Sequence, residues 1–273
     1  MDMDGYFERI GLDGCAATLR GLEELQSAQM RAIAFENIDP LLGRVPDVSL
    51  AGIRDKLVAG GRGGYCFELN TLFGAALQAC GFRADRVLAR VRNGAPRGGQ
   101  RSHLAWIVTV GGEEWLADTG FGGAGASVPL RVAARAVQEA PTGRYRFVED
   151  DGAGELVLER ETPEGWYALF GFDRVPVSDV DVEAANFLCA RWERAPFPSN
   201  LMLSRHHERG RVSLLNTALR VESRGEVEKR TIASEAELRA VLLDLFSLPG
   251  AADLAPSIWR RLAELGHAAI RPR

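Results

Sequence analysis

One cysteine in the sequence is placed where a helix should make it reactive. Cys66 lies in the segment 62–70, Arg-Gly-Gly-Tyr-Cys-Phe-Glu-Leu-Asn, after two glycines that predict a tight turn. Apolar residues then recur at three- and four-residue steps as far as Cys80, and Gly81 follows where a helix would end. Free backbone N–H groups at the start of that helix would lower the thiol pKa, to between about 3.5 and 7.5. The alternative is that Cys66 is a small buried apolar residue, as most free cysteines are.

A histidine and an aspartate lie on a predicted hairpin further along the chain. Two apolar segments within 103–119 flank Gly111-Gly112, which predicts antiparallel strands joined by a two-residue loop. The numbers of paired residues then sum to 223, so that Asp118 pairs with Ala105. His103 lies two residues before Ala105 in the same strand, and its side chain therefore points to the same face of the sheet. His103 and Asp118 become diagonal neighbours with Cα atoms roughly 7–8 Å apart. A three-residue loop would reverse the parity and separate the two side chains.

These three residue types together can form a nucleophilic site. A carboxylate beside an imidazole orients the ring and stabilises its charged form, and the imidazole can take the proton of a thiol. The sequence therefore predicts Cys66 as the nucleophile, His103 as the base and Asp118 as the residue that orients it. Each residue alone has a simpler explanation, since a histidine in a strand is usually structural and Asp118 could begin a turn.

The periodicity of apolar residues changes twice along the chain, which predicts an α+β fold in three domains. Residues 1–82 read as helical and carry the nucleophile. From residue 83 the period becomes 2, and short strands with frequent turns predict an antiparallel, barrel-like sheet carrying the histidine and the aspartate, followed by a helix to about residue 192. Residues 193–273 mix strands and helices and form the third predicted domain.

A glycine-rich loop follows Asp118 directly. Residues 120–125, Gly-Phe-Gly-Gly-Ala-Gly, match G-x-G-x-x-G, but a dinucleotide site needs a helix to start at once. The next residues, 126–130, are strand-like and contain a proline, which argues against that reading. Backbone N–H groups of the loop could still approach a phosphate. We predict no metal site, because the chain has no C-x-x-C pair and the adjacent His206 and His207 should point apart in a strand.

Composition excludes several classes of protein. The 273-residue chain is 46% hydrophobic and 26% charged, as in ordinary globular proteins. A formal net charge of −4 argues against a nucleic-acid surface, and the sequence has no apolar run of membrane-spanning length. The acidic N-terminus predicts no signal peptide, and four scattered cysteines predict free thiols in a reducing cytoplasm. The oligomeric state is left open.

Several motifs together make the chain resemble the arylamine N-acetyltransferase family. They occur in the family's order: Phe-Glu-Asn at 35–37, the cysteine motif at 62–70, His-Leu at 103–104, Trp-Leu-Ala-Asp-Thr-Gly-Phe-Gly at 115–122 and Pro-Phe-Pro-Ser-Asn at 196–200. The resemblance covers nearly the whole chain, and its cysteine motif is highly specific. Two positions depart from the family pattern, Thr119 for the usual valine and Ala34 for a common proline. The second change is expected to alter the floor of the substrate pocket.

The resemblance implies a fold, a reaction and a set of site residues. It implies a helical first domain, a β-barrel and an α/β lid, with a triad like that of cysteine proteases in which Cys66, His103 and Asp118 have the roles given above. Acetyl-CoA is the implied acyl donor, and arylamines, hydrazines or arylhydroxylamines are the implied acceptors. On this reading the backbone of Gly122, Gly123 and Gly125 contacts the phosphates of coenzyme A. An aromatic pocket is formed by Phe35, Phe121 and Phe197, and Arg62 pairs with Glu36 to fix the turn before Cys66.

Other functions use the same three residues. A cysteine hydrolase or a transglutaminase-like enzyme would bring water, or a protein amine or glutamine, to Cys66. An amide synthase would use a different acyl donor on the same fold. A binding module with an inactive triad is the non-enzymatic alternative, and its cysteine should react with iodoacetamide no faster than a free thiol.

Overall fold

Helices make up most of the first part of the chain, as the apolar periodicity predicts. The computed structural model describes residues 3–133 and 136–268, so the outermost residues of the first and last predicted domains lie outside it. The first five helices are α1 (Asp4–Ile10), α2 (Leu19–Ala32), α3 (Ile38–Leu41), α4 (Leu50–Ile53, continued as a π-helix over Arg54–Ala59) and α5 (Cys66–Ala79). Thr18 and Ser49 accept N-capping hydrogen bonds at α2 and α4. None of the helices in the described residues is long and apolar enough to cross a membrane.

Eight strands form an antiparallel sheet that curls into a barrel-like shape. They are β2 (Arg83–Val91), β3 (Arg101–Val110), β4 (Glu113–Ala117), β5 (Leu130–Arg131), β6 (Gln138–Ala140), β7 (Gly143–Asp150), β8 (Glu155–Thr162) and β9 (Gly165–Phe172). The order across the sheet is β5-β4-β3-β2-β9-β8-β7-β6. Leu130 of β5 and Tyr145 of β7 belong to one apolar cluster, although five strands separate them in that order. The two edge strands meet through the Gln138 side chain, which makes two 2.8 Å hydrogen bonds with the backbone of Arg131.

The β3–β4 hairpin has the register that the sequence predicts. Val110 pairs with Glu113 and Trp106 pairs with Ala117, so that every pair sums to 223. Gly111 and Gly112 both have positive φ, 62° and 81°, which a type I′ turn requires. Asp118 therefore follows the last paired residue of β4 on the side of the sheet that carries His103.

A β-bulge interrupts the pairing of β2 with β3 just before His103. Ala89 pairs with His103, whereas Arg90 pairs with Arg101, so Ser102 has no partner in β2. A bulge of this kind leaves one residue outside the hydrogen-bond ladder and bends the strand. The carbonyl oxygen of Ser102 is consequently free to accept hydrogen bonds from groups outside the sheet.

The remainder of the chain forms a second sheet with helices packed on it. Helix α6 (Asp179–Arg191) leads to strands β10 (Met202–His207), β11 (Gly210–Leu215), β12 (Ala218–Ser223) and β13 (Glu226–Thr231) and to helices α7 (Glu235–Asp244), α8 (Pro249–Ala252) and α9 (Ala255–Glu264). A short strand β1 (Phe35–Glu36) from the first part of the chain completes this sheet, which has the order β1-β10-β11-β12-β13. The sequence predicts a segment between two helices here and no strand, because only a distant partner gives these two residues strand geometry.

Asn37 ties β1 to the segment that precedes β10. Its side-chain amide donates to the carbonyls of Phe197 (3.0 Å) and Asn200 (2.7 Å), and its oxygen accepts from the N–H of Met202 (2.7 Å). The Asn37 side chain is fully buried, so water could not take its place as the hydrogen-bond partner of these three backbone groups.

We expect Asn37→Asp to lower the free energy of unfolding by at least about 3 kcal/mol at pH 7. The substitution keeps the shape of the side chain but places a carboxylate oxygen against two carbonyl oxygens. Urea unfolding followed by tryptophan fluorescence measures the change. The matched control is Gln78→Glu, the same chemical change at an exposed position, with an expected effect of about 1 kcal/mol or less. Equal unfolding midpoints for Asn37→Asp and the parent protein would contradict the hydrogen bonds described for the Asn37 side chain.

Candidate active site

Cys66 is the first residue of α5 and is only 2% exposed. Its thiol donates to the carbonyl of Ser102 at 3.5 Å. The two glycines before it do not form the predicted tight turn. Instead they run beside β1, where the N–H of Glu36 donates to the Gly64 carbonyl (2.9 Å) and the N–H of Gly64 donates to the Ala34 carbonyl (3.3 Å). The start of α5 is therefore fixed by strand-like pairing with a segment some 30 residues earlier.

His103 and Asp118 are in direct contact, as the hairpin register predicts. The imidazole Nε2 lies 2.7 Å from Asp118 Oδ2, and the ring packs against Phe121 and Phe170 with centroid distances of 5.2 and 4.9 Å. Since Nε2 is held by the carboxylate, Nδ1 is the nitrogen left to serve another group. The Cys66 thiol shares a cavity with this ring. In the part of the chain that the structure describes, however, its hydrogen bond is to Ser102 and not to the imidazole.

The Asp118 carboxylate is held from three sides. Besides His103, its Oδ1 accepts from the side-chain amide of Asn70 (2.9 Å) and the N–H of Gly120 (2.8 Å). Burial by itself would raise the pKa of this carboxyl, but the charge and hydrogen bond of His103, with the other donors, hold the pKa below its ordinary value. The backbone N–H of Asp118 donates to Gln26 at 3.2 Å. The carboxylate is therefore ionised and its orientation is fixed.

Sequence reasoning missed two of these supporting residues. Asn70 also donates to the Leu104 carbonyl (2.6 Å) and accepts from the N–H of Thr119 (3.1 Å). It lies one helical turn after Cys66 in the same motif, a spacing that places both on one face of α5. That spacing could have identified Asn70, whereas Gln26 lies on α2, in a part of the chain with no such signal.

The pKa of the Cys66 thiol moves against the sequence-based expectation. Burial raises it well above the ordinary value, and the nearby thiol of Cys189 and the carboxylate of Asp118 raise it further. Hydrogen bonds from the N–H groups of Leu104 and Phe67 lower it only in part. A helix start stabilises a thiolate that water also solvates, but here water has been removed. The thiol therefore needs a cation beside it to ionise at neutral pH.

A cavity of about 260 Å³ leads to Cys66 and His103. All three predicted substrate residues, Phe35, Phe121 and Phe197, line it, and so do two of the three predicted cofactor residues, Gly122 and Gly123. Asp118 lies behind the imidazole ring rather than on the cavity wall, and Gly125 lines a neighbouring cavity. Ala34, expected to alter the pocket floor, is fully buried and is not one of the residues that line the cavity.

Gly120 is required by the close approach of the glycine loop to α5. A Cβ atom at this position would lie 2.7 Å from the Cα of Cys66 and 2.6 Å from the Asn70 amide nitrogen, both far inside contact distance. Thr119 beside it accepts a 2.8 Å hydrogen bond from Gln29. The hydroxyl that distinguishes Thr119 from valine is therefore satisfied in the core, and this departure disturbs nothing around it.

Two further cavities have basic lining residues, and the larger of them adjoins the first. One of about 510 Å³ shares Gly122, Gly123 and Met202 with the catalytic cavity, and its basic lining residues are Arg211, Arg220, Lys229 and Arg230. The other, of about 180 Å³, contains Gly125 and the basic residues Arg160, Arg209 and Arg211, with His206. Burial, together with nearby arginines, lowers the pKa of His206 to about 4. In the described residues, no three His, Cys, Asp or Glu side chains are grouped to hold a metal ion.

The predicted pair of Arg62 with Glu36 is present and belongs to a larger buried ionic cluster. Arg62 lies 2.6 Å from the Glu36 carboxylate, and Lys56 bridges Asp39 (2.6 Å) and Glu68 (2.7 Å). Burial, with Glu36 and Asp39 nearby, raises the pKa of Glu68 to about 7 in spite of Lys56. The Glu68 carboxylate also accepts from the N–H of Tyr65 at 3.2 Å. The cluster therefore fixes the backbone on both sides of Gly63-Gly64.

Comparison with known proteins gives a consistent result. The sequence profile described as N-acetyltransferase matches residues 18–254. The arylamine N-acetyltransferase of Escherichia coli is 33% identical over 253 residues, which cover 90% of this chain and 88% of that protein. The Salmonella typhimurium protein named arylamine N-acetyltransferase / N-hydroxyarylamine O-acetyltransferase is 35% identical over 78% of this chain and 76% of its own length. The Mycobacterium marinum arylamine N-acetyltransferase in complex with CoA superposes with a TM-score of 0.90 at 33% identity, covering 97% and 99% of the two chains.

We expect the reactivity of Cys66 at neutral pH to depend on His103. Thiolate forms as the pH rises through the thiol pKa, so a raised pKa delays alkylation to alkaline pH unless an imidazolium compensates. In His103→Gln the rate of iodoacetamide alkylation at pH 7 should fall at least about tenfold and climb steadily to pH 9 and above. Cys66→Ala supplies the background from the other three thiols. Equal alkylation rates at pH 7 with and without His103 would contradict the pairing of the Cys66 thiolate with the His103 imidazolium.

Proposed function

Because the chain belongs to the arylamine N-acetyltransferase family, we propose that it transfers an acetyl group from acetyl-CoA, through a thioester on Cys66, to an arylamine, a hydrazine or an arylhydroxylamine. The observation that carries this assignment is the contact of His103 with Asp118 at the wall of a cavity that also contains the Cys66 thiol. The comparisons support the reaction class, since the similar proteins are acetyltransferases.

In the first half-reaction, Cys66 is acylated. His103 takes the thiol proton on Nδ1 while Asp118 holds Nε2 and stabilises the imidazolium. The sulfur attacks the thioester carbonyl, the carbonyl carbon becomes tetrahedral, and coenzyme A leaves after receiving the proton from His103. Burial makes the bare thiolate unfavourable, so the ion pair with the imidazolium is the reactive state.

In the second half-reaction, the amine attacks the acetyl-cysteine. A neutral arylamine is nucleophilic without strong activation, so its orientation in the pocket supplies much of the rate. His103 takes the amine proton as the C–N bond forms and returns a proton to the sulfur as the C–S bond breaks. The oxyanion needs an N–H donor, and that of Cys66 at the start of α5 is the candidate, since the N–H of Phe67 is already hydrogen-bonded to the Cys66 sulfur. The N–H of Tyr65, the residue before Cys66, donates to Glu68 instead.

The cavities suggest how the two substrates are separated. Coenzyme A would run from Cys66 past Gly122 and Gly123 into the adjoining basic cavity, where Arg220 and Lys229 meet its phosphates. Gly125 would contribute from the neighbouring cavity. The acceptor ring would pack among Phe35, Phe121 and Phe197, whose rings already contact one another or His103.

We also retain the division at residues 82/83 and 192/193 as a proposal, with residues 193–273 acting as the lid. Three apolar clusters roughly follow this division, although β1 joins the sheet of the last segment. A cytoplasmic location fits the four free cysteines.

A hydrolase or an amide synthase would use the same three side chains. The comparisons do not favour either, since the similar proteins are named for transfer to arylamines. The alternatives differ in what removes the acyl group from Cys66, and one experiment separates them.

We expect incubation with acetyl-CoA to add one acetyl group, 42 Da, to Cys66 and to no other residue. Intact-protein and peptide mass spectrometry measure the adduct, and an added arylamine should remove it at least about a hundredfold faster than water does. Cys66→Ala and His103→Ala should form no adduct while retaining the circular dichroism of the parent. Loss of the adduct at the same rate with and without arylamine would favour the hydrolase and overturn the proposal.

We expect Arg220→Gln and Lys229→Ala each to raise the KM for acetyl-CoA about fivefold with little change in kcat. A phosphate contact at a partly exposed site contributes about 1 kcal/mol, and it acts on binding rather than on the acyl step. Steady-state kinetics at low and at moderate ionic strength measure the effect, which should shrink as salt increases. Arg174→Ala, which removes an arginine that pairs with Glu114 away from these cavities, is the control. An unchanged KM for acetyl-CoA in both variants would contradict the binding of the coenzyme A phosphates in this cavity.

A further inference from the structure

A second cysteine lies beside the proposed nucleophile. Cys189 on α6 is almost fully buried and lines the same cavity as Cys66. Its thiol donates to the Ser102 carbonyl at 3.8 Å, the oxygen to which the Cys66 thiol donates at 3.5 Å. Because both sulfurs bond one atom, they cannot be further apart than the sum of these distances, 7.3 Å. The proposed acetyl transfer makes no use of Cys189.

The shared oxygen is available only because of the bulge in β3. In a regular ladder the Ser102 carbonyl would face β2 or solvent, whereas here Ser102 has no partner and its oxygen holds both thiols. Rotation about χ1 moves each sulfur away from this oxygen, and a disulfide forms when the two approach to about 2.05 Å. The cavity opens beside both sulfurs, so a small oxidant that enters it meets both.

We propose that Cys189 is a resolving cysteine, which converts an oxidised Cys66 into an internal disulfide. A peroxide oxidises the Cys66 thiolate: an S–O bond forms, the O–O bond breaks, and the leaving oxygen takes a proton from the His103 imidazolium and departs as water or an alcohol, which gives a sulfenic acid. The Cys189 sulfur then attacks the Cys66 sulfur, the S–O bond breaks, and the hydroxyl leaves as water with the Cys189 proton. The resulting disulfide blocks further oxidation to sulfinic acid, and an external dithiol returns both cysteines to thiols.

The other two cysteines provide internal controls. Cys80 lies fourteen residues beyond Cys66 along the axis of α5, which is roughly 21 Å for an α-helix. Cys15 donates to the Gly21 carbonyl at 3.3 Å, near the start of α2. Neither lines the cavity that contains Cys66 and Cys189. Cys15 and Cys80 are partly exposed and in hydrogen-bond contact with each other, so a disulfide formed by simple exposure would join these two before it involved Cys189.

The first test maps the disulfide. The protein used is the Cys15→Ser/Cys80→Ser variant, because Cys66 and Cys80 otherwise fall in one tryptic peptide, residues 63–83. It is treated with hydrogen peroxide, its free thiols are blocked with N-ethylmaleimide, and it is digested without reductant. We expect the peptide 63–83 linked to 175–191, and an intact mass lower by 2 Da than that of the untreated variant. Oxidation of Cys66 without this linked peptide would overturn the proposal.

The second test measures protection. In the same background, dithiothreitol should restore most of the activity lost to peroxide. With Cys189→Ala or Cys189→Ser in addition, the restored fraction should fall at least about fivefold, with a gain of 32 Da on Cys66. Equal recovery with and without Cys189 would also overturn the proposal. Because the linked peptide is detected without any acyl donor, a protein that forms it but accepts no acetyl group would overturn only the proposed acetyl transfer.

Discussion

The buried carboxylate of Asp118 is the constraint on which the rest of the site depends. It joins three elements that are far apart in the chain: β3 through His103, α5 through Asn70, and the glycine loop through the N–H of Gly120. A buried anion with fewer partners would be protonated or would leave the core. The folded chain must therefore bring all three donors together at once. For this reason the position of the imidazole relative to the helix that begins with Cys66 is a property of the whole fold and not of one loop.

The sequence predicts those parts of the molecule that short-range rules determine. The hairpin register follows from two glycines with positive φ, and it places His103 beside Asp118 correctly because pairing across a tight turn is local. The start of α5, the helix α6 and the antiparallel character of the large sheet follow from periodicity in the same way. Strand β1, the bulge at Ser102 and the amide of Gln26 depend on partners that no local pattern identifies, and these features were not predicted.

The thiol pKa shows how a correct local prediction can lead to a wrong property. Cys66 does lie at the start of a helix, where the dipole and free N–H groups favour an anion. The same packing that places it there excludes water and brings Cys189 and Asp118 close, and these effects outweigh the two backbone donors. Exposure of a side chain within a helical turn cannot be read from periodicity when almost every face of the helix is buried. The consequence is chemical: the buried thiol depends on an imidazolium that is itself held by a carboxylate.

The buried ionic cluster around Arg62 and Lys56 is better explained by the backbone positions that it fixes than by a gain in the free energy of unfolding. Well-packed apolar side chains often stabilise a core as well as buried ion pairs do, because charges lose their hydration on burial. Apolar groups, however, could not accept the N–H of Tyr65, as Glu68 does, or that of Ile38, as Glu36 does. These two hydrogen bonds fix the backbone next to Phe35 and Cys66, which both line the cavity. Arg62 and Lys56 neutralise the two carboxylates and connect them through Asp39. The cluster thus holds the proposed nucleophile and Phe35, another residue of the cavity lining, at a fixed separation.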